Sequence, residues 1–285
     1  MSYLPEKVLE QKLLSFLQED IGFGDITGEF VPEKNVEAKL FAKQNGVLCG
    51  LEFIKILLKS LGLKFHTEKK DGDMVIPNES ILTIEGSSKQ ILVIERTILN
   101  LLMRLSGISS QTKVFVDIVS NSKQSIVIAS TRKTTPGLRY FEKYAVKIGG
   151  GDPHRWSLSD TVLIKENHLV LFQNRNIRDI VTKFKQVSSF TKKIDIEVET
   201  IKEFEEVLES DPDIIMLDDF KPDQIRKSVN ILNSRKLNKK PLIEVSGGVN
   251  LENIENYLIS GVDIISIGAV THSVKSIDFS LKIQS

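Results

Sequence analysis

The sequence predicts an α/β protein whose second half is a parallel sheet covered by helices. From residue 125 onward, short runs rich in β-branched residues recur, and amphipathic segments of helical spacing separate most of them. We interpret these runs as strands that are apolar throughout. Strands of that kind, alternating with helices, are typical of a parallel sheet with helices packed on its faces.

The first part of the chain indicates a smaller, mixed α/β unit. Apolar residues at helical spacing predict a helix over 5–19. Up to about residue 90, short apolar runs such as AKLFA and ILTIEG alternate with the turn signals DGD and PNES, and one helix is predicted at about 51–61. Two further helices are predicted, at about 91–105 and 109–121.

The second half contains six predicted strands, which read SIVIAS, TVLIK, IDIEVE, IIMLD, LIEVS and IISIG. Between them, Thr200 and Glu203 predict a capping box, Pro136 suits a first helical turn, and Asn250 predicts the start of a helix that Gly261 ends. The last segment, SIDFSLKI, alternates apolar and polar residues. It therefore predicts a strand, and we expect this strand to return to the first domain.

Composition excludes several classes of function. Lysine and arginine together number 38, as do aspartate and glutamate, and a net charge of zero argues against a protein that mainly binds nucleic acid. Cys49 is the only cysteine, so no disulfide within the chain is possible, and we expect a buried thiol. The sequence shows neither a signal-peptide core nor a membrane-length apolar run, so we expect a cytoplasmic protein.

Polar residues follow each of the six predicted strands. In chain order they are Thr131, Arg132 and Lys133; Lys165; Glu199; Asp218; Ser246, Gly247 and Gly248; and Gly268. Any one of them alone would more commonly be a surface, capping or turn residue. Because α/β barrels carry their chemistry at the carboxyl ends of successive strands, their joint placement predicts a functional site there.

The residue types at these strand ends point to an anionic ligand. The segment GGGDPHR follows a predicted helix over 136–148 and adds His154 and Arg155. The potential cations are then Arg132, Lys133, His154, Arg155 and Lys165, and the carboxylates are Glu199 and Asp218. Carboxylate oxygens suit Mg²⁺, and glycine turns allow backbone N–H groups to approach a phosphate. We therefore predict a site for a multiply anionic ligand and a divalent cation.

One long block carries a family resemblance. The run TRKTTPGLRYFEKYAVKIGGGDPHRWSLSDTVLIKENH, at 131–168, resembles the signature of the quinolinate phosphoribosyltransferase family. Further blocks resemble that family in the same order: QEDIGFGDIT, ERTILNLLMRLSGISSQT, IMLDDF, EVSGGVN and GVDIISIGAVTHS. Three residues depart from its usual pattern. Pro153 and Asp219 each stand where asparagine is usual, and Glu166 stands where aspartate is common.

The resemblance implies a fold and a reaction. The expected fold is an N-terminal open α/β sandwich over 1–107, to which the strand 274–285 returns, and a parallel α/β barrel of fewer than eight strands over 108–273. The family transfers phosphoribosyl from phosphoribosyl pyrophosphate to quinolinate, with release of pyrophosphate and carbon dioxide. The product is nicotinate mononucleotide, used in NAD synthesis. The expected assembly is a dimer or a larger homo-oligomer.

The resemblance also assigns roles to residues. Quinolinate would be bound by Arg132, His154, Arg155, Lys165 and Arg96 of the partner subunit. Phosphoribosyl pyrophosphate would be bound by Lys133, Glu199, Asp218, Ser246, Gly247, Gly248, Gly268, Ala269 and His272. Lys133, Lys165, Glu199 and Asp218 would be the catalytic residues. Glu199 and Asp218 would also hold Mg²⁺.

Three alternatives remain at this point. A related transferase for nicotinate or another monocarboxylate base would need fewer cations than are found here. A molybdenum-transport-associated group with the same fold lacks the lysine of LIKENH, whereas Lys165 and His168 are present in this chain. A non-catalytic ligand-binding barrel would be expected to lose the metal carboxylates, and Glu199 and Asp218 are both retained.

Overall fold

The computed structural model describes residues 4–172 and 176–284. The chain divides into two compact units, Met1–Gln111 with Val274–Ser285 and Thr112–Ser273. The sequence had led us to place the first boundary at 107/108. Within the described stretches, no helix is long and apolar enough to cross a membrane.

The first unit is built on an antiparallel sheet. Its elements are α1 (Glu6–Ile21), α2 (Ile26–Glu29), β1 (Asn35–Ala42), β2 (Gly46–Val47), α3 (Leu51–Ser60), β3 (Lys64–His66), β4 (Met74–Val75), β5 (Ser80–Ser87), the start of α4 (Ser88–Asn121) and β12 (Phe279–Ile283). The sheet order is β12-β1-β5-β3, and all its pairs are antiparallel. The predicted C-terminal strand thus pairs with β1, and Cys49 is buried as expected.

The prediction of separate helices over 91–105 and 109–121 is wrong. A single helix, α4, runs from Ser88 to Asn121 and passes through Gly107 without a break. A Cβ atom at Gly107 would collide with the backbone carbonyl of Lys275. The glycine therefore permits close approach of another chain segment, at a cost of about 1 kcal/mol in helix propensity.

The second unit is an open parallel sheet with helical connections. Its elements are β6 (Val127–Ala129), α5 (Arg139–Ile148), β7 (Val162–Ile164), α6 (Glu166–Leu169), α7 (Ile177–Val187), β8 (Ile194–Val198), α8 (Ile201–Leu208), β9 (Ile214–Asp218), α9 (Pro222–Ser234), β10 (Leu242–Ser246), β11 (Ile264–Ser266) and α10 (Ala269–His272). The sheet order is β6-β11-β10-β9-β8-β7. Over the described residues β6 and β7 do not pair with each other. The predicted incomplete barrel of fewer than eight strands is confirmed.

Two of the predicted helices in this unit are shorter than predicted. The helix predicted from Pro136 begins only at Arg139, because residues 135–138 form a turn in which the Leu138 N–H donates to the Thr135 carbonyl over 3.0 Å. The helix predicted from Asn250 to Gly261 is reduced to a 3₁₀ turn at Ile254–Tyr257.

The Asn250 side chain explains the shortened helix. Its oxygen accepts from the N–H groups of Glu252 and Asn253, at 2.9 and 3.2 Å, which favours a local turn over a regular helix. The capping box is confirmed at the start of α8. There, the Glu203 N–H donates to Thr200 Oγ1 over 3.2 Å, and the Thr200 N–H donates to Glu203 Oε2 over 3.1 Å.

Candidate active site

Strand register places the predicted carboxylates side by side. Asp218 on β9 pairs with Ser246 on β10, and Val198 on β8 pairs with Leu217 on β9. Glu199, one residue beyond Val198, therefore lies beside Asp218. Since paired residues of adjacent strands share a face of the sheet, Glu199, Asp218 and Ser246 point to the same side.

A layer of carboxylates lies on the same face beneath this edge. Glu197 on β8 and Glu244 on β10 both pair with Met216 on the strand between them, and Asp195 precedes Glu197 by two residues. Asp195 and Glu244 are fully buried. We call Asp195, Glu197 and Glu244 the interior carboxylates. The interpretation of these strands as apolar throughout is wrong for β8 and β10, and the alternation in IDIEV was the signal that could have revealed Asp195 and Glu197.

The predicted cations meet the interior carboxylates. The Lys165 ammonium forms an ion pair with Glu197. His154 Nε2 lies 3.2 Å from Glu244 Oε2. We call Arg132, His154, Arg155 and Lys165 the cationic cluster. Each of these two contacts joins a residue beyond β6 or β7 to an acid on another strand, Glu244 being buried and Glu197 partly buried, so the fold itself assembles the cluster.

The two arginines of the cationic cluster lie near each other. Burial, and then the positive charge of Arg132, lower the pKa of the Arg155 guanidinium, while Asp195, Glu244 and Glu197 act in the opposite direction. Arg132 Nε is a buried donor with no hydrogen-bond partner in the described part of the chain. An anionic acceptor would satisfy the unpaired buried donor and offset the repulsion between the two guanidinium groups.

The interior carboxylates are themselves incompletely paired. Neither oxygen of Asp195 nor Oε1 of Glu244 has a hydrogen-bond partner among the described residues. Burial, and then the nearby charge of Glu244, raise the pKa of the Asp195 carboxyl. A raised pKa favours the neutral acid, so Asp195 avoids part of the cost of a buried charge.

The segment 149–155 is held against the end of β6. A Cβ atom at Gly151 would lie 2.7 Å from Thr112 Cγ2 and 3.2 Å from the Ile128 carbonyl oxygen, so only glycine allows this approach. The Asp152 N–H donates to the Ile128 carbonyl over 2.8 Å, and the Ser130 N–H donates to the Asp152 carbonyl over 2.9 Å. The segment therefore extends the sheet edge for one residue and then delivers His154 and Arg155.

His154 occupies an uncommon backbone conformation. Its φ is +52°, in the left-handed region that side chains other than glycine rarely adopt. Its N–H donates to Asp152 Oδ1 over 2.6 Å, across Pro153. The Pro153 carbonyl accepts from Ser130 Oγ over 3.0 Å and from the buried Lys143 ammonium. Pro153 thus contributes its carbonyl to the loop, and Lys143 is a residue that the sequence analysis missed.

Carboxylates crowd one another at the ends of β7, β8 and β9. The pKa of the exposed Glu199 carboxyl is raised, first by the charge of Glu166 and then by burial, Glu203 and Asp218. We call Glu166, Glu199 and Asp218 the acidic cluster. A cavity of about 250 Å³ opens beside it and is lined in part by Glu166, Glu197, Glu199, Lys202 and Glu203. A divalent cation bound there would relieve this repulsion, and carboxylate oxygens are ligands that Mg²⁺ prefers.

The remaining predicted residues lie at the ends of β10 and β11. Gly247 and Gly248 have φ values of +90° and +60°, and the Asp219 side chain packs tightly against Gly247. A Cβ atom at Gly268 would lie 2.9 Å from His272 Nε2 and 3.1 Å from Lys133 Cδ. Lys133 and His272 therefore both lie at this glycine, which immediately precedes Ala269 at the start of α10.

The predicted site residues thus divide between the two units. The second unit carries all of them except Arg96, at or just beyond the carboxyl ends of its strands. Arg96 lies on α4 in the first unit, with an exposed side chain. An open parallel α/β barrel with clustered cations and carboxylates at its strand ends defines a class of proteins that bind anionic ligands at that edge.

Comparison with known proteins identifies the family within that class. The family model described as quinolinate phosphoribosyl transferase, N-terminal domain, matches residues 25–106, and the C-terminal domain model matches 108–282. The chain belongs to the quinolinate phosphoribosyltransferase family.

Individual relatives agree over nearly the whole chain. A probable nicotinate-nucleotide pyrophosphorylase (carboxylating) of Methanocaldococcus jannaschii is 45% identical over 271 residues, which is 94% of each chain. Solved structures of nicotinate-nucleotide pyrophosphorylases superpose closely. The structure from Ehrlichia chaffeensis has a TM-score of 0.89 at 36% identity over 100% of both chains. The structure from Francisella tularensis has a TM-score of 0.89 at 34% identity, over 99% of this chain and 98% of that one.

Proposed function

We propose that this protein transfers phosphoribosyl from phosphoribosyl pyrophosphate to quinolinate, giving nicotinate mononucleotide, carbon dioxide and pyrophosphate for NAD synthesis. The observation that carries the proposal is the cationic cluster beside the acidic cluster on one sheet edge. The names of the relatives describe the same reaction from the product side, as a carboxylating pyrophosphorylase of a nicotinate nucleotide.

Quinolinate fits the cationic cluster by charge. Its two carboxylates require several cations, and guanidinium groups pair with carboxylates through two parallel hydrogen bonds. The proximity of Arg132 to Arg155, with one unpaired buried donor, supports a dianionic base in this place. His154 would contact the same base. The ion pair with Glu197 holds Lys165 at the end of β7. In the proposal, Lys165 stands where the base meets the ribose.

Phosphoribosyl pyrophosphate fits the ends of β10 and β11, beside the end of β6. In the proposal Ser246, Gly247 and Gly248 bind the 5′-phosphate together with Gly268 and Ala269. The support is local, since the left-handed glycines expose backbone groups that a side chain would cover. Lys133 and His272, which both lie at Gly268, would contact the same substrate.

Mg²⁺ would be held by Glu199 and Asp218. When bound, it would neutralise charge on the diphosphate and so favour its departure. The crowded acidic cluster supports this assignment, because without a cation the neighbouring negative charges disfavour the ionised form of Glu199 and raise its pKa.

The residues of the chain mainly place and polarise the reactants. The pyridine nitrogen would form a bond to the anomeric carbon while the bond from that carbon to the diphosphate oxygen breaks, and Lys133 and Lys165 would stabilise the departing charge. The bond between ring carbon 2 and its carboxylate then breaks. Carbon dioxide leaves, the cationic ring holds the electron pair, and a proton takes its place. Orientation alone can contribute several kcal/mol to such a reaction.

The proposal extends to the assembly. The protein would act in the cytoplasm as a homo-oligomer, a dimer or a multiple of dimers, in which Arg96 of the partner subunit completes each quinolinate site. The exposed position of Arg96 on α4 leaves its guanidinium accessible to a second copy. Neither nucleic acid nor membrane enters the proposal.

The proposed reaction is tested by its stoichiometry. The purified protein is incubated with quinolinate, phosphoribosyl pyrophosphate and Mg²⁺, and nicotinate mononucleotide, carbon dioxide and pyrophosphate are measured. We expect the three products in equal amounts. Turnover of nicotinate in place of quinolinate would support a monocarboxylate transferase, and no turnover of either base would support a ligand-binding barrel.

A further inference from the structure

Lys143 is a lysine whose side chain is completely buried within the second unit. It lies on α5 and has 0% relative exposure. Lysine is rarely buried to this extent, because removing an ammonium group from water is costly unless the group is well paired. None of the roles described above uses Lys143, so its burial requires a separate explanation.

The Lys143 ammonium joins the two chain segments that carry the cationic cluster. It donates to Ser130 Oγ over 3.2 Å and to the Pro153 carbonyl. Ser130 Oγ donates in turn to the same carbonyl over 3.0 Å. Three polar groups from α5, the end of β6 and the segment 149–155 thus form one closed set of hydrogen bonds.

Both segments lead directly into residues of the cationic cluster. Ser130 precedes Arg132 by two residues, and Pro153 immediately precedes His154 and Arg155. His154 has a φ of +52°, which persists in a residue with a side chain only where its surroundings impose it. The Pro153 carbonyl belongs to the peptide group that enters this conformation, so its two hydrogen bonds act at the strained position.

We infer that Lys143 is a positioning residue for quinolinate, which fixes Arg132 on one side and His154 with Arg155 on the other. The inference rests on the proposed function. It predicts a selective effect, because the residues expected to bind phosphoribosyl pyrophosphate lie beyond β8 to β11, except for Lys133, whose carbonyl accepts from Thr271 Oγ1 over 2.8 Å.

The charge of Lys143 supplies an independent readout. Burial, and then the positive charge of Arg139, lower the pKa of the Lys143 ammonium to about 8, although Asp152 and Asp160 oppose the shift. As pH rises through this value the cation becomes a neutral amine, which is a weaker donor to the Pro153 carbonyl. The affinity for quinolinate should therefore fall as pH rises.

The charges that act on the Lys143 ammonium are those of Arg139, Asp152, Asp160 and Arg155. Glu142 precedes Lys143 in the chain, and His154 follows Pro153. Carboxyl and guanidinium groups ordinarily titrate several pH units away from about pH 8, and an imidazole ordinarily titrates below it, near about 6.5. Among these neighbours, Lys143 is the group expected to change charge between about pH 7 and 9.

The test uses Lys143→Met, which keeps an unbranched side chain of similar length and removes the donor. Lys147→Met is the matched control, because Lys147 lies on the same helix with an exposed side chain. In Lys143→Met, we expect the KM for quinolinate to rise about tenfold or more, the usual scale for a charged hydrogen bond. The KM for phosphoribosyl pyrophosphate and the kcat at saturating quinolinate should change less than about threefold, and Lys147→Met should match the wild type.

The pH dependence separates positioning from general stability. In the wild type, the KM for quinolinate should rise between about pH 7 and 9, while in Lys143→Met it should be uniformly high.

Two results would overturn the inference: an unchanged KM for quinolinate in a folded Lys143→Met, or a parallel rise in the KM for both substrates. If Lys143→Met does not fold, the wild-type profile decides, and a quinolinate KM that stays flat over this range overturns it. If the wild type does not turn over quinolinate, the proposed function fails and the inference fails with it. The wild-type assay alone shows this outcome, so it is distinguished from a failure of the inference about Lys143.

Discussion

The cationic cluster and the acidic cluster lie at the same sheet edge but are organised differently. In the cationic cluster, two cations pair with interior carboxylates, Lys165 with Glu197 and His154 with Glu244. In the acidic cluster, Glu199 is exposed and its pKa is raised chiefly by Glu166. The cationic side is therefore preorganised by the protein, whereas the proposed Mg²⁺ would complete the acidic side. An enzyme that joins a dianionic base to a metal-bound diphosphate would need both arrangements.

The largest effect is expected from removing a preorganised cation. Arg155→Ala or Lys165→Ala should lose at least about 1.5–3 kcal/mol of transition-state stabilisation, since each removes a cation proposed to bind substrate, and Lys165→Ala also leaves Glu197 without its ion-pair partner. This corresponds to a loss of roughly 10- to 150-fold in kcat/KM, measured at steady state. Lys227→Ala, on the exposed face of α9, is the control. If either variant kept the full kcat/KM, its residue would have no place in the site.

On the acidic side, Glu199→Gln should raise the Mg²⁺ concentration needed for half-maximal activity by about tenfold, because a charged ligand is replaced by a neutral one. The kcat at saturating Mg²⁺ should recover part of the loss. Glu205→Gln, a neighbouring exposed position on α8, should leave the Mg²⁺ dependence unchanged. An unchanged Mg²⁺ dependence in Glu199→Gln would contradict the assignment of the acidic cluster to the metal.

A third prediction concerns the contribution of the partner subunit. Arg96→Ala and Lys165→Ala should each have at most about a tenth of the wild-type activity alone. After mixing under conditions that exchange subunits, activity should recover to about a quarter of the wild-type level, because half of the dimers are mixed and each mixed dimer has one intact site. The measurement is specific activity against mixing time. Verified exchange with no recovery would place Arg96 outside the partner's site.

The smallest effect is expected at the amino-terminal edge of the sheet, away from the candidate site. Asp213 accepts from the Ile194 N–H at 2.9 Å and from Lys239 Nζ at 2.5 Å. Although burial raises the pKa of the Asp213 carboxyl, these hydrogen bonds lower it overall. Asp213→Asn should cost about 0.5–1.5 kcal/mol of unfolding free energy at neutral pH, limited by screening of the partly exposed pair.

The pH dependence of this effect has a definite sign. A depressed pKa contributes stability above the unfolded value, and that stability is lost as pH falls through the folded value. The difference between wild type and Asp213→Asn in urea unfolding should therefore shrink on acidification, while kcat/KM stays within about twofold at neutral pH. A loss of kcat/KM larger than about twofold in the folded Asp213→Asn variant would contradict the division between the two edges of the sheet.

The sequence was sufficient to predict the strands and their ends. All six runs from SIVIAS to IISIG form parallel strands, because apolar β-branched runs between helices have few other solutions. The residues directly after them, such as Lys165 and Asp218, follow from strand position alone. Gly107 shows the limit, since it lies between the two helices predicted at 91–105 and 109–121 but is part of one helix, where it permits contact with Lys275, which is distant in sequence.

The interior of the site was less accessible to prediction. Asp195 and Glu197 alternate with isoleucine, but only the sheet order shows that this face meets His154 and Arg155. Lys143 lies between Glu142 and Tyr144 on α5, and nothing local distinguishes it from an exposed lysine. Its role depends on the Pro153 carbonyl, whose position is determined by the left-handed turn at His154.

The central claim is that the cationic side is built for two carboxylates, and calorimetric titration tests it most directly. Quinolinate and nicotinate, which differ by one carboxylate, are titrated separately into the wild-type protein at the same pH and ionic strength. The account predicts that quinolinate binds at least about tenfold more tightly, since one charged hydrogen bond is worth about 1.5 kcal/mol or more. Equal affinities, or tighter binding of nicotinate, would contradict it.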